Sequence, residues 1–420
     1  MKFDFAISVL SLNHKTMKDK KIGNSIFKFE RDAGIDSPFG DWRSRIRDKQ
    51  EEIKNKEGRK KQKKCIIEFE PDDTDNIKNG VFGFDKYIDK FDKFCLSGSD
   101  KLKKEYNPIT VNNKEYLPPW ISIRKGQSIV LKISKLIIKE TLSVYKNIEF
   151  QKHPDFKIIP IDKKDNPTIL RSAKRVKITC KNTKQKTTQI KVMADGKEAG
   201  ALNFWYPKPK TIDLKWYFVE ITGGEKDKKK LVRIINKPKL ENLLIKGLNP
   251  ALIDITLLNS TAEIIDISEY REILKKEGTL IKHSNTNIGK YIERKRIQRI
   301  FGTIGIKHTK NTSIINLYSI NRKCLHTKDI NTDGTYKMIG GLSPTNTGLA
   351  YMTLEEGDKI QAENIIHEIM HALGLEHTFS TKATHTFKET KTKNYMDYDN
   401  VKRLTWKWQW VNLNEYSHLK

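Results

Sequence analysis

Residues 358–377 read Asp358-Lys-Ile-Gln-Ala-Glu-Asn-Ile-Ile-His367-Glu368-Ile-Met-His371-Ala-Leu-Gly374-Leu-Glu-His377, and they decide how the chain is read. Asp358 with Gln361 three positions on is a helix-capping arrangement. Ala362, Ile365, Ile366, Ile369, Met370 and Leu373 then recur on one apolar face, so the stretch is an amphipathic helix. His367 and His371, four apart, stack on the same side one turn apart, where both imidazoles can reach one ion at ~2.0–2.1 Å. Glu368 is displaced around the helix, so its carboxylate can contact a water nucleophile rather than the metal. Gly374 can take the left-handed conformation that ends a helix, and His377 can then swing back as a third ligand. Three protein ligands leave a fourth position open, the arrangement of a catalytic rather than a structural zinc site. A bare His-Glu-x-x-His can arise by chance; the added glycine and third histidine separate this stretch from that case. The expectation is one catalytic Zn2+ on His367, His371 and His377, with Glu368 as general base.

Downstream lies Asn394-Tyr395-Met396-Asp397-Tyr398. Together with the extended histidine motif it resembles the metzincin superfamily of zinc peptidases, and His377-Thr378-Phe379 with the Tyr-Met-Asp-Tyr run is most similar to the pappalysin-type branch. The resemblance covers residues 211–420. It implies an α+β catalytic domain of mixed sheet and helices that cleaves peptide bonds in protein or peptide substrates. Met396 would belong to the turn beneath the metal, and Tyr398 would be a catalytic residue steadying the developing oxyanion; the alternative is a core tyrosine packed below the site. Gly348 to Thr353 resembles the strand at the edge of the cleft, which implies a substrate lying extended along it. An ordinary buried strand is the other reading.

Outward from the motif, Leu214 to Ile221, Ile253 to Leu258 and Ile314 to Ile320 are apolar, β-branched runs that predict strands. Leu240, Leu243, Leu244 and Leu248 predict a helix stopped by Asn249-Pro250. Trp406, Trp410 and Leu413 share a helical stripe and read as core. Residues 111–210 carry short β-rich runs separated by turns such as Lys125-Gly126 and Asp195-Gly196, the pattern of an Ig-like β-sandwich, with Pro207-Lys208-Pro209 as its boundary. Residues 1–110 are charged and irregular, an N-terminal basic region compatible with a pro-segment, an export-docking module or a small basic domain.

The formal net charge of +28 favours acidic partners. Its lysines are dispersed, and the densest runs, Arg59 to Lys64 and Lys226 to Lys230, lack interleaved aromatics, so nucleic acid is not the expected partner. Four widely spaced cysteines suggest neither a zinc knuckle nor a disulfide scaffold. The other histidines, including His385, form no second cluster at ligand spacing. No stretch is apolar enough to span a membrane, and Met1 to Leu12 reads poorly as a signal peptide. Export or secretion by another route is expected, with residues 1–210 contacting export machinery or an envelope. The alternative function is a protein that binds an envelope or acidic polymer, or an exported bacterial toxin, with proteolysis secondary.

Overall fold

Strict alternation of buried and outward residues builds the first sheet. Cys65, Ile67 and Phe69 point inward from one strand, as do Ile129, Leu131 and Ile133, and Val176, Ile178 and Cys180, from two others, the period-2 signature of a half-buried sheet. The computed structural model describes residues 65–137, 147–161, 173–183, 185–221, 237–281, 291–297, 299–300, 314–330, 336–353, 362–398, 404–416 and 419. The basic runs, the N-terminal stretch and the Asp358–Gln361 cap lie outside them.

The strands of the first half are β1 (Cys65–Pro71), β2 (Gly83–Asp85), β3 (Ile109–Val111), β4 (Lys114–Tyr116), β5 (Trp120–Ser122), β6 (Ser128–Ile137), β7 (Ile148–Phe150), β8 (Phe156–Ile161), β9 (Arg175–Cys180), β10 (Thr187–Ala194) and β11 (Lys197–Trp205). Sheet β1-β6-β9-β8 and sheet β2-β5-β11-β10-β7 face one another across a single apolar core. Asp195 and Gly196, both at positive φ, turn β10 back into β11, as Asp-Gly does in tight hairpins.

The second half is mixed α+β. Its strands are β12 (Lys210–Glu220), β13 (Ile253–Leu257), β14 (Glu263–Asp266), β15 (Leu280–Ile281), β16 (Tyr291–Glu293), β17 (Ile314–Ile320), β18 (Lys323–Ile330), β19 (Tyr336–Ile339), β20 (Gly341–Leu342) and β21 (Leu349–Thr353). The main sheet runs β13-β12-β17-β21-β20, with β14 also on β12. All its pairings are parallel except the last, where β20 runs antiparallel to β21 and forms the edge. A smaller sheet, β15-β16-β18-β19, stands beside it. Seven α-helices are described: α1 (Thr74–Lys78), α2 (Lys90–Phe94), α3 (Ser99–Lys104), α4 (Lys237–Leu248), α5 (Arg271–Lys276), α6 (Ala362–Ala372) and α7 (Lys407–Asn414). Leu240, Leu244 and Leu248 of α4 share the main core with Ile365, Ile366, Ile369 and Met370 of α6. Trp406, Trp410 and Leu413 are buried in that core, as their stripe implies.

Three expectations change. The strand Leu349–Thr353 is interior, with Tyr351 fully buried and β20 outside it, so the sheet edge belongs to Gly341–Leu342. The break expected near residue 110 falls inside one hydrogen-bonded system, because β1 pairs with β6 along its whole length and β2 pairs with β5. The break expected near residue 210 falls inside one compact unit, Lys63–Lys420. The physical reason for the last is that β11 is buried on both faces. Its Leu202 and Phe204 face the sandwich core while Trp205 enters the main core and lies 6.1 Å from Trp410, centroid to centroid. Trp120 of β5, with Phe91, Leu102 and Tyr106 from the α2–α3 segment, enters that same core. Buried Asp85 completes the tie, accepting from the Tyr106 hydroxyl at 2.8 Å and from the Lys407 amide at the start of α7 at 2.9 Å.

Losing one buried aromatic costs ~3–5 kcal/mol, against a total stability of ~5–15 kcal/mol for a domain. A fragment beginning at Thr211 loses four such side chains, Phe91, Tyr106, Trp120 and Trp205, together with Leu102 from its core. It is expected to melt without a cooperative transition and to bind a hydrophobic dye, whereas residues 63–420 melt cooperatively; a cooperative, dye-silent fragment contradicts the shared core.

Candidate metal centre

The metal helix is aimed by its own amphipathicity. Its apolar side is locked into the main core, which leaves His367, Glu368 and His371, each 4–6% exposed, on the side that lines a cleft of about 490 Å³. The helix ends in a Schellman turn: the Leu375 amide donates to the Met370 carbonyl at 2.9 Å and the Gly374 amide to the His371 carbonyl at 2.8 Å. Gly374 sits at φ +101°, a left-handed conformation that side chains with a Cβ rarely adopt. The amides of Asn346 and Gly348 take the carbonyls of His371 and Ala372, fastening the β20–β21 connection to the same helix end.

That turn delivers the Leu375 carbonyl to His371, whose Nδ1 donates to it at 2.6 Å. His367 Nδ1 donates in the same way to the Tyr395 carbonyl at 2.6 Å. A carbonyl oxygen only accepts, so both Nδ1 atoms carry the proton and both Nε2 atoms present a lone pair. These two lone pairs face the third histidine: Nε2 of His377 is 3.2 Å from that of His367 and 3.0 Å from that of His371. Three tetrahedral ligands at ~2.0–2.1 Å from zinc stand ~3.3 Å apart, so the donor set fits the ion in identity, tautomer and spacing. Among the described residues this is the one group of three metal-ligating side chains found together. His385 is not part of it; buried at 1% exposure, it bonds to Glu105 at 3.3 Å.

The Asn394–Tyr398 turn is held from several sides. Asp397, fully buried, accepts from the amides of Thr390 and Thr392 at 2.8 Å, from the Thr392 hydroxyl at 2.6 Å and from the Tyr398 amide at 2.7 Å. Asn394 and Gln409 of α7 pair amide to amide at 2.7 and 3.1 Å. Met396 is fully buried, and its carbonyl accepts the amide of Thr378, next to His377, at 2.9 Å. His377 itself stacks on Phe379 with centroids 4.7 Å apart.

Tyr398 is not a core residue: it is 44% exposed on the cleft, with its ring 4.8 Å from that of His377. Partial burial, and next the charge of Glu368, raise its pKa, while Arg294 opposes them. The phenol therefore stays protonated at neutral pH and can donate a hydrogen bond. Glu368 is positioned by a feature the sequence motif does not contain. A Cβ on Gly341 would lie 2.4 Å from Glu368 Oε1, so the edge strand approaches the carboxylate to a distance only glycine allows. The Gly340-Gly341 pair beside a strand was the available signal for that close approach. The carbonyls of Tyr395 and Leu375 carry no sequence signal, because any residue supplies one.

No family model matches the sequence, and no curated protein matches it. Among solved structures it is similar to a mutant titin I27 domain, at 14% identity over 21% of this chain and 79% of that one, with a TM-score of 0.13. It is also similar to a zinc-dependent peptidase from Methanocorpusculum labreanum (strain Z), at 12% identity over 48% of this chain and all of that one (100%), with a TM-score of 0.22. At such TM-scores neither likeness bears on the function of this chain.

Asp397→Ala removes the acceptor of four hydrogen bonds and loosens the turn that carries the Tyr395 carbonyl. Zinc affinity measured by competition with a chelating dye is expected to fall ~10- to 100-fold, as for other outer ligands of a metal site, with far-UV circular dichroism retained. Unchanged affinity would show that the turn does not orient His367.

Proposed function

We propose that this chain is a metal-dependent hydrolase and, more specifically, a zinc endopeptidase of the metzincin type that cleaves peptide bonds in protein substrates. The observation that carries the reading is the convergence of three Nε2 atoms, with tautomers set for metal binding, beside Glu368 in an accessible cleft. The extended histidine motif and the Asn394–Tyr398 run, on which the resemblance to metzincins rests, support the same class. Zinc, held by His367, His371 and His377, would supply Lewis acidity toward water and a carbonyl oxygen.

The chain's own groups account for the rest. Glu368 takes the proton from the attacking water and passes it to the leaving amine. Its seat against Gly341 confines the carboxylate to the side of the cleft where the nucleophile must stand. Tyr398, protonated and on the cleft surface, donates to the oxyanion as negative charge develops there, and so acts selectively on the transition state. β20 ends the sheet among the described residues, and an extended peptide pairing there as an additional strand fits an enzyme that cuts within a chain rather than at its ends. Gly340, Gly341 and Leu342 line the cleft alongside the histidines.

Two variants separate chemistry from metal binding. Glu368→Gln is expected to keep one zinc per chain and to lose nearly all casein cleavage. Gly341→Ala is expected to keep zinc while kcat falls on the order of 100-fold, because it displaces the base by a fraction of an ångström or more. Zinc-dependent cleavage that survives in Glu368→Gln would remove Glu368 from the base's role.

A further inference from the structure

The catalytic cleft contains a cation that neither the metal site nor the hydrolytic step uses. Arg294 opens the short 3-10 turn Arg294–Arg296, directly after β16. That strand is fixed by parallel pairing with β18 (Tyr291↔Lys323, Ile292↔Cys324, Glu293↔Leu325), and β18 pairs in turn with β19, which runs into the edge strand β20. The small sheet thus presents Arg294 to the cleft together with Gly341, His367 and Glu368. The side chain is half-buried. Tyr398 lines the same cleft.

Among the described residues Arg294, like Arg271 and Arg296, forms no ion pair, unlike three other arginines of the fold. Arg124 bonds to Asp254 at 2.8 Å, Arg175 to Asp72 at 3.2 Å, and Arg299 lies 3.9 Å from Glu277. Among the described residues, no carboxylate stands within ion-pair distance of Arg294. A partly desolvated guanidinium without a counter-ion is costly unless something supplies one, and a planar fork of donors matches a carboxylate in two-point geometry. The acidic groups that share the cleft, Glu376 and Glu389, belong to the loop around and after His377 rather than to the small sheet. The cleft is therefore not uniformly basic, and the +28 charge of the chain does not by itself explain an arginine at this point.

We propose that Arg294 is a specificity residue that binds a carboxylate of the substrate close to the scissile bond, so that the enzyme prefers peptides with Asp or Glu at that position. The inference rests on the peptidase reading and deepens it by naming the substrate class.

The test uses the full chain loaded with zinc and short N-acetylated peptides that are identical except for Glu or Gln at one position, moved stepwise across the centre. Each peptide is made with a free and with an amidated C-terminus. Binding is measured by fluorescence anisotropy in the Glu368→Gln background, where the substrate is held uncut, and kcat/KM is measured in the chain with Glu368 intact. At one position the Glu peptide is expected to bind and react ~10- to 100-fold better than the Gln peptide, the range of a charge-assisted hydrogen bond. Arg294→Gln is expected to erase that ratio, Arg294→Glu to invert it, and Arg294→Lys to restore part of it. A preference that survives amidation identifies a side-chain carboxylate; one that vanishes on amidation identifies the terminal carboxylate and overturns the side-chain assignment. Equal loss for Glu and Gln peptides in Arg294→Gln, or no preference in the parent chain, overturns the proposal. Discrimination in binding that depends on Arg294 without any cleavage would leave the inference standing and count against the peptidase reading.

Discussion

Two hydrogen bonds, each 2.6 Å from an imidazole Nδ1 to a main-chain carbonyl, are the constraint on which the rest of the site depends. They fix the tautomers of His367 and His371 and turn both Nε2 lone pairs toward His377. Neither acceptor is a side chain. Each is the carbonyl of a turn, so the histidine cluster is only as rigid as the two turns that present them. One is the Schellman stop at Gly374, set locally by six residues of sequence. The other is the Asn394–Tyr398 turn, set by Asp397 beneath it and by the Asn394–Gln409 amide pair that anchors it to α7.

Through α7 the constraint extends across the molecule. The first amide of that helix is taken by Asp85 on β2, and its Trp410 packs near Trp205 of β11. A perturbation in the sandwich therefore has a hydrogen-bonded and packed route to the turn that orients His367. The sandwich strands β5 and β11 are walls of two cores at once. This arrangement makes the first half a structural part of the half that carries the three histidines rather than a spacer attached to it.

The metal helix was legible because its signals are local: apolar spacing, histidines one turn apart, a glycine where the chain must reverse. Strands β12, β13, β17 and β21 were legible as apolar runs, yet periodicity gave no order for them, and the edge position went to Gly348–Thr353 when it belongs to β20. Two residues of Gly-Leu carry no strand pattern; only their antiparallel pairing with Met352 and Tyr351 makes them a strand. The positions near 110 and 210 fall within one paired and packed system for a related reason. Phe91, Leu102 and Trp120 lie on elements of three to six residues, too short to show a period, and Tyr106 lies just after one; the core they share with Trp406 and Trp410 is built from residues distant in sequence. Pro207-Lys208-Pro209 does end a strand, but a strand end is not a domain end when the strand's outer face is already in the next core. Gly341 and Arg294 were invisible as site residues because a glycine and one arginine among many cations acquire meaning only from what the fold places beside them.

We propose that three imidazole nitrogens hold a catalytic zinc ion with one position left open beside Glu368. X-ray absorption at the zinc edge on the zinc-loaded full chain tests this most directly. Three imidazole ligands at ~2.0–2.1 Å and a single additional light ligand in a four-coordinate shell are expected. A sulfur ligand, a shell of six oxygens, or fewer than three imidazoles would contradict it.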